Sequence, residues 1–410
     1  MPHREGLTMD FDLDSGLSDE MRAIRDTCRR FATEVMRPAG ITLDRMSAAD
    51  VIAAGSPLWQ VLDAYRGLGL SGGAAFDDPT LTPEQKALTH CIVLEEMSAG
   101  DVGLFITCGL LNIAPEIARA SGRQDLVDYF AARDEVCCLA LTEPGRGSDI
   151  VAFTEPAYRD PRIKPVLTCR KDGARYILNG QKAAWVSGGT IAGSGIVFAT
   201  FESSPVGLAD GAVFLMPFDL PGVSKGKPLE KIGQRALNQG EIFFDDVEVP
   251  AQFVLAEGPE VYPLVWEMNL KGANIAMGQQ FVGLARAAFE LALDYAKQWV
   301  QGGGPIIQHQ NIKNRIFGMF QKVEAARALV RRVAIADAAQ PGGVPFQYAA
   351  AVKVFVTQSA FEIAHDAVQV LGGNGLTHEY LAEKLFRDAR ASLIEDGENG
   401  MLGLMAASRL

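Results

Sequence analysis

Residues 137–188 read CCLALTEPGRGSDIVAFTEPAYRDPRIKPVLTCRKDGARYILNGQKAAWVSG, and here helical periodicity gives way to strand-like patterning around a Pro/Gly loop. Leu139 and Leu141 end an apolar run, and Pro144 forbids a continuing ladder. Gly145 and Gly147 permit tight turns with exposed amides, which suits an anion such as a pyrophosphate. The hydroxyls of Thr142 and Ser148 add donors. A surface turn capped by Ser148 and Asp149 explains the same residues when the loop is read without its surroundings. Between Arg159 and Lys182 stand seven basic residues (Arg159, Arg162, Lys164, Arg170, Lys171, Arg175 and Lys182) against Asp160 and Asp172. They read either as a solvated face or as a receiver of ligand phosphates.

Outward from this stretch the pattern is helical on both sides. Leu17, Met21, Ile24, Cys28, Phe31 and Val35 share a helical face that Ser18 caps and Pro38 is expected to stop. Further helices are expected at 57–68, 83–99, 101–119 and 123–132, with a loop, GLSGGAAFDDPTLTP, before the third. RYILNG, AAWVSGG, GIVFATF, AVFLMPF and GEIFFDDVEVP are short apolar or alternating runs bounded by Gly, Pro and Asn, the signature of an antiparallel sheet. Helical periodicity returns at 263–300, 306–339, 345–371 and 379–394, enough for a bundle. The fold class is therefore α+β: an N-terminal helical domain over 1–136, a central antiparallel β domain over 137–252 and a C-terminal four-helix bundle over 253–410.

The composition narrows the function. The 410 residues are 48% apolar, a globular figure, and a net charge of −12 argues against nucleic acid. No run reaches a membrane-spanning length without a charge, and MPHREGLTMDFDLD has no apolar core of a signal peptide. Six cysteines (Cys28, Cys91, Cys108, Cys137, Cys138 and Cys169) lack metal spacing and suit reduced thiols in a cytoplasmic protein. Five scattered histidines offer no metal site either.

Three motifs in this order resemble the acyl-CoA dehydrogenase family: LTEPGRGSD, then KIGQRALNQGEIFFDDVEVP at 231–250, then AVQVLGGNGLTHEYLAEKLFRDAR at 367–390. The resemblance covers nearly the whole chain. It implies FAD as cofactor, an acyl-CoA thioester as substrate, electron-transfer flavoprotein as electron acceptor, and a homo-oligomer, usually a tetramer. By resemblance Leu141 and Thr142 lie along the flavin ring, Gly147 and Ser148 face the pyrophosphate, and Trp185 with Ser187 form the unit whose hydroxyl approaches flavin N5. Asn179-Gly180 precedes Trp185 by one residue more than is usual, so either a bulge restores the site or Trp185 is displaced. Gln310, Gln369, Gly372 and Gly373 are the remaining cofactor contacts implied, and Trp299 stands where the family usually supplies an arginine.

Counting from Arg387-Asp388-Ala389, the family's catalytic glutamate position holds Asp396, within Ile394-Glu395-Asp396-Gly397-Glu398. An acid is kept, shorter by one methylene or about 1.3–1.5 Å of reach. Relatives acting on alicyclic acyl-CoAs share this aspartate, so the resemblance leans toward a cyclic or bulky acyl group. The family's second location for the base falls at Ala273, followed by Asn274, and neither takes a proton. Glu395 and Glu398 are rivals to Asp396. Residues 101–108 and 260–278 are expected to line the acyl pocket. The same resemblance leaves open an oxidase using O₂, a lyase-like homologue without net oxidation, and a flavin-free acyl-CoA-binding homologue.

Overall fold

The computed structural model describes residues 17–70, 80–152 and 155–410. The N-terminal segment discussed above and most of the GLSGGAAFDDPTLTP loop lie outside the described residues. Helix α1 (Asp19–Phe31) starts where the Ser18 hydroxyl accepts from the Met21 amide at 3.2 Å. Pro38 does not end it. A π-helical turn over Ala32–Met36 carries the chain into α2 (Arg37–Asp44), whose first turn holds the proline. There a missing N–H costs nothing, because the wider turn has already broken the α ladder. A short α3 (Ala48–Val51) and α4 (Pro57–Gly67) follow, then α5 (Pro83–Gly100), which opens on a capping box between Thr82 and Gln85. The helix expected over 101–119 is two, α6 (Val102–Gly109) and α7 (Ile113–Ala120), and α8 (Gln124–Ala131) completes this part.

The sheet comprises β1 (Cys137–Ala140), β2 (Thr168–Asp172), β3 (Arg175–Ser187), β4 (Ser194–Phe201), β5 (Gly211–Pro217), β6 (Val223–Lys225), β7 (Gln239–Pro250) and β8 (Val254–Glu257). Its order is β6-β7-β3-β2-β4-β5-β8, with β1 also on β4. Most pairings are antiparallel as expected, but β1 and β2 both run parallel to β4, one along each half of it. β8 lies beyond the boundary expected at 252. β4 and β5 read as unbroken apolar runs because both faces are covered, by α7, α8 and the start of the next helix.

That helix, α9 (Tyr262–Gln298), is followed by a small hairpin of β9 (Val300–Gln301) and β10 (Gly304–Pro305), then by α10 (Gln310–Ala339) and α11 (Phe346–Leu371). α12 (Ala382–Ser392) and α13 (Asn399–Ala407) end the chain. α9, α10, α11 and α5 share one apolar core built largely of alanine and valine, which lets their axes come close. No single helix among the described residues is long and apolar enough to cross a membrane.

Candidate active site

The loop Leu141–Asp149 is fixed from beneath. Lys182, 2% exposed, donates to the Leu141 carbonyl at 2.9 Å and to Glu143 Oε1 at 2.8 Å. Glu143 in turn accepts from the Val166 and Leu167 amides at 2.7 and 3.2 Å. Burying a charge pair is costly unless its remaining lone pairs are satisfied, and here they are. The Ala183 amide donates to the Thr142 carbonyl at 2.9 Å, so Thr142 stands at the side of β3. Of the amides expected to face an anion, that of Gly147 is already used, donating to Asp149 Oδ1, and the neighbouring Arg146 N–H donates to Glu143 O. Ser148 opens a short 3₁₀ turn and is half-buried.

A bulge absorbs the extra residue before Trp185. Lys182 pairs with Ile242 and Val186 with Gly240, so β3 spends two more residues there than β7. Ser187 regains register opposite Gln239, whose Nε2 donates to Ser187 Oγ at 3.2 Å and to the Trp185 carbonyl at 3.4 Å. The Trp185 indole is left 61% exposed. A large uncovered ring in the middle of a sheet, next to a half-buried hydroxyl, presents a surface for a flat heteroaromatic ligand.

Most of the basic stretch is neutralised. Arg162 pairs with Asp160, Lys171 with Glu257, Arg175 with Asp172 and Glu248, and Lys182 with Glu143. Of the seven, Arg159, Lys164 and Arg170 make no ion pair among the described residues.

Asp396 sits in a left-handed backbone conformation, φ +49°, and Gly397 follows at +98°. Such a turn is unfavourable for aspartate unless its surroundings over-determine it. Asn274 on α9, fully buried, donates Nδ2 to the Asp396 carbonyl at 2.9 Å. Lys353 on α11, also fully buried, donates to the Gly397 carbonyl at 2.6 Å and to Asn399 Oδ1 at 2.8 Å. The Asp396 carboxylate itself takes no hydrogen bond among the described residues. Solvent reaches it, yet protein surrounds it on the remaining sides. That burial pushes its carboxyl above the usual aspartate range, with Lys353 pulling the other way. The same burial brings the Lys353 ammonium down to about 8, against the pull of Asp396, Glu395 and Glu398.

Its rivals are engaged elsewhere. Glu395 accepts from Gln234 Nε2 at 2.9 Å, and burial pushes it up to about 7 despite that bond. Glu398 caps α13 by accepting from the Met401 amide at 3.0 Å, and backbone hydrogen bonds hold its carboxyl low. Lys231 donates to Gln239 Oε1 at 2.9 Å, and Gln239 reaches Ser187. The segment 231–239 thus links the Glu395-Asp396 turn with the Ser187 hydroxyl.

Gln310 and the 369–373 turn belong to a different region. Gln310, Gln369, Gly372 and Gly373 are exposed, at the first residue of α10 and around the end of α11, where Arg315 pairs with Asp366. From Lys353 to Gln369 along α11 is about 24 Å at 1.5 Å per residue. Gly372 takes φ +60° and ψ −135°, which favours glycine, and a Cβ at Gly372 or Gly373 would meet nothing within 4 Å. Trp299 stacks on Tyr295 at 5.3 Å and offers no charge in place of the usual arginine.

The chain is similar to known proteins over most of its length. Residues 138–247 match the acyl-CoA dehydrogenase middle domain and residues 265–410 the acyl-CoA dehydrogenase C-terminal domain. The mouse short-chain specific acyl-CoA dehydrogenase is 29% identical over 403 residues, 96% of this chain and 90% of the relative. Cyclohexane-1-carbonyl-CoA dehydrogenase of Geobacter metallireducens is 28% identical over 405 residues, covering 96% and 98% of the two chains. The structure of butyryl-CoA dehydrogenase from Megasphaera elsdenii superposes with a TM-score of 0.79 at 26% identity, over 96% and 98%. The expectation of a cytoplasmic protein is overturned by the mouse, rat, human and bovine relatives, which are mitochondrial. Burial shields all six cysteines, so their reduced state carries no information on compartment. By two matched domains that span most of its length, the chain belongs to the acyl-CoA dehydrogenase family.

Proposed function

We propose that this protein is an FAD-dependent acyl-CoA dehydrogenase that uses Asp396 as its base. The observation that carries this is one unengaged carboxylate at the family's base position, set on a turn whose carbonyls are held by Asn274 and Lys353. Asp396 takes the proton from the carbon beside the thioester carbonyl, and its raised pKa brings it nearer that weak acid. The Asp396 amide would donate to the thioester oxygen, where charge develops. Leu141, Thr142, Trp185 and Ser187 would hold the flavin ring, Gly147 and Ser148 its pyrophosphate side, and FAD when bound supplies the hydride acceptor. The exposed Trp185 face and the open space beside Gly145 and Gly147 fit such a group. Gln310, Gln369, Gly372 and Gly373 would serve the cofactor of a second copy. Electron-transfer flavoprotein is the acceptor that the family reading supplies, and an alicyclic acyl group fits the shorter base and the Geobacter relative.

Anaerobic bleaching of the yellow protein by acyl-CoA thioesters tests the reading. Asp396→Asn should stay folded and yellow and lose bleaching by about 10²–10⁴-fold. Undiminished bleaching would transfer the role to Glu395 or Glu398.

A further inference from the structure

Around the base turn, hydrogen-bond acceptors outnumber donors. Gln234 is 1% exposed, and its Nε2 donates both to the Asp388 carbonyl at 3.3 Å and to Glu395 Oε2 at 2.9 Å. The Asp388 carbonyl only accepts, so this bond fixes the amide and leaves Gln234 Oε1 buried without a partner. Asn274 repeats the pattern: Nδ2 serves the Asp396 carbonyl and Oδ1 is buried and unpartnered. Glu395 Oε1 and both Asp396 carboxylate oxygens accept no hydrogen bond among the described residues.

The neighbouring cations do not redress this. Lys231 already donates to the Leu237 carbonyl at 2.7 Å and to Gln239, Lys353 to Gly397 and Asn399, and Lys384 to Asp101 and Asp388 at 2.6 Å. Gln234 also lies hard against α6, since a Cβ at Gly103 would stand 3.0 Å from its Cα. Glu395 therefore ties the base turn to the 101–108 wall expected to line the acyl pocket.

We propose that Glu395, held by Gln234, selects the acyl group: a hydroxyl or similar hydrogen-bond donor near the reacting carbons is favoured, and a carboxylate there is rejected. This rests on the dehydrogenase reading and adds the substrate class to it. A donor on the substrate would pair with an acceptor for which the described residues supply no donor. A substrate carboxylate would add a third acid beside Glu395 and Asp396, whose nearest cations, Lys231 and Lys353, are held on carbonyl and amide oxygens.

The test uses the full-length, FAD-loaded protein at about pH 8, above the value of about 7 to which burial pushes Glu395, and two thioester series, butyryl-CoA and cyclohexanecarbonyl-CoA. Each is presented unsubstituted, hydroxylated and carboxylated, with dissociation constants from calorimetry and flavin bleaching read alongside. In the series that binds more tightly, the hydroxylated thioester should bind about tenfold tighter than the plain one and the carboxylated thioester about tenfold weaker. Glu395→Leu should bring the hydroxyl advantage close to unity. Glu395→Gln should keep that advantage and shrink the carboxylate penalty. Equal affinities across the wild-type series, or wild-type ratios retained in Glu395→Leu, would overturn the proposal. Bleaching by a plain thioester upholds the dehydrogenase reading whichever way the ratios fall, and failure of every thioester to bleach overturns both.

Discussion

Asp396 carries a conflict between backbone and side chain. A non-glycine residue at φ +49° is tolerated only where its neighbours hold it, and the two side chains that do so come from α9 and α11. With a methylene fewer than glutamate, the carboxylate depends more on where its Cα is held. Asn274 therefore acts as a positioning residue, and its effect on rate should exceed its effect on binding. Asn274→Leu leaves the Asp396 carbonyl without its donor, and should lower kcat for a good thioester while KM changes little. The accompanying loss of stability should be about 1–3 kcal/mol in denaturant titrations. Equal losses in kcat and in thioester affinity would reduce Asn274 to a packing role. The assignment of Asp396 comes from counting from Arg387-Asp388-Ala389, a spacing within one continuous stretch. Its supports were not, since Asn274 and Lys353 lie far away in sequence. Their one trace is a polar residue set among apolar neighbours, Ala273-Asn274-Ile275 and Val352-Lys353-Val354.

Among the elements, local rules set most of the boundaries, and the exceptions have identifiable causes. α4, α5, α8, α9 and α11 begin and end close to where caps, prolines and periodicity place them. Pro38 misled because a π-helical turn just before it had already released the ladder. The parallel placement of β1 and β2 on β4 follows from long connections rather than from turn residues, so short-range patterning carries no sign of it. The bulge in β3 shows in the sequence only as a one-residue excess, whereas the strand spends two more residues than β7 there. What secures this element is the Lys182–Glu143 pair, which joins β3 to the Leu141–Asp149 loop. Lys182→Met should cost about 3–5 kcal/mol by leaving Glu143 buried without its cation. Because the loop's carbonyls lose their anchor too, FAD retention on gel filtration should fall. A variant as stable as the wild type that stays yellow would show the loop to be held by its other contacts.

Over the whole molecule the residues read as cofactor contacts fall into two groups that a single chain keeps apart. Leu141, Thr142 and Ser187 gather at β3, near the segment that leads to Asp396, whereas Gln310 and the 369–373 turn lie at the far end of α11. Both groups serve one flavin if a second copy brings its 369–373 turn to the β3 bulge of the first, an isologous arrangement in which each subunit completes the other. Mixed subunits distinguish this from a self-contained site. Asp396→Asn removes the proposed base, and Gly372→Val places a branched side chain where φ is +60° and the backbone is expected to approach the cofactor. Each variant alone should be inactive in flavin bleaching. Co-expressed and purified through different tags on the two chains, a mixed dimer has one site with both lesions and one with neither. Such dimers should regain about half of wild-type activity per dimer. If each chain instead built its own site, every site in the mixture would carry one lesion, and activity would stay at the level of the separate variants.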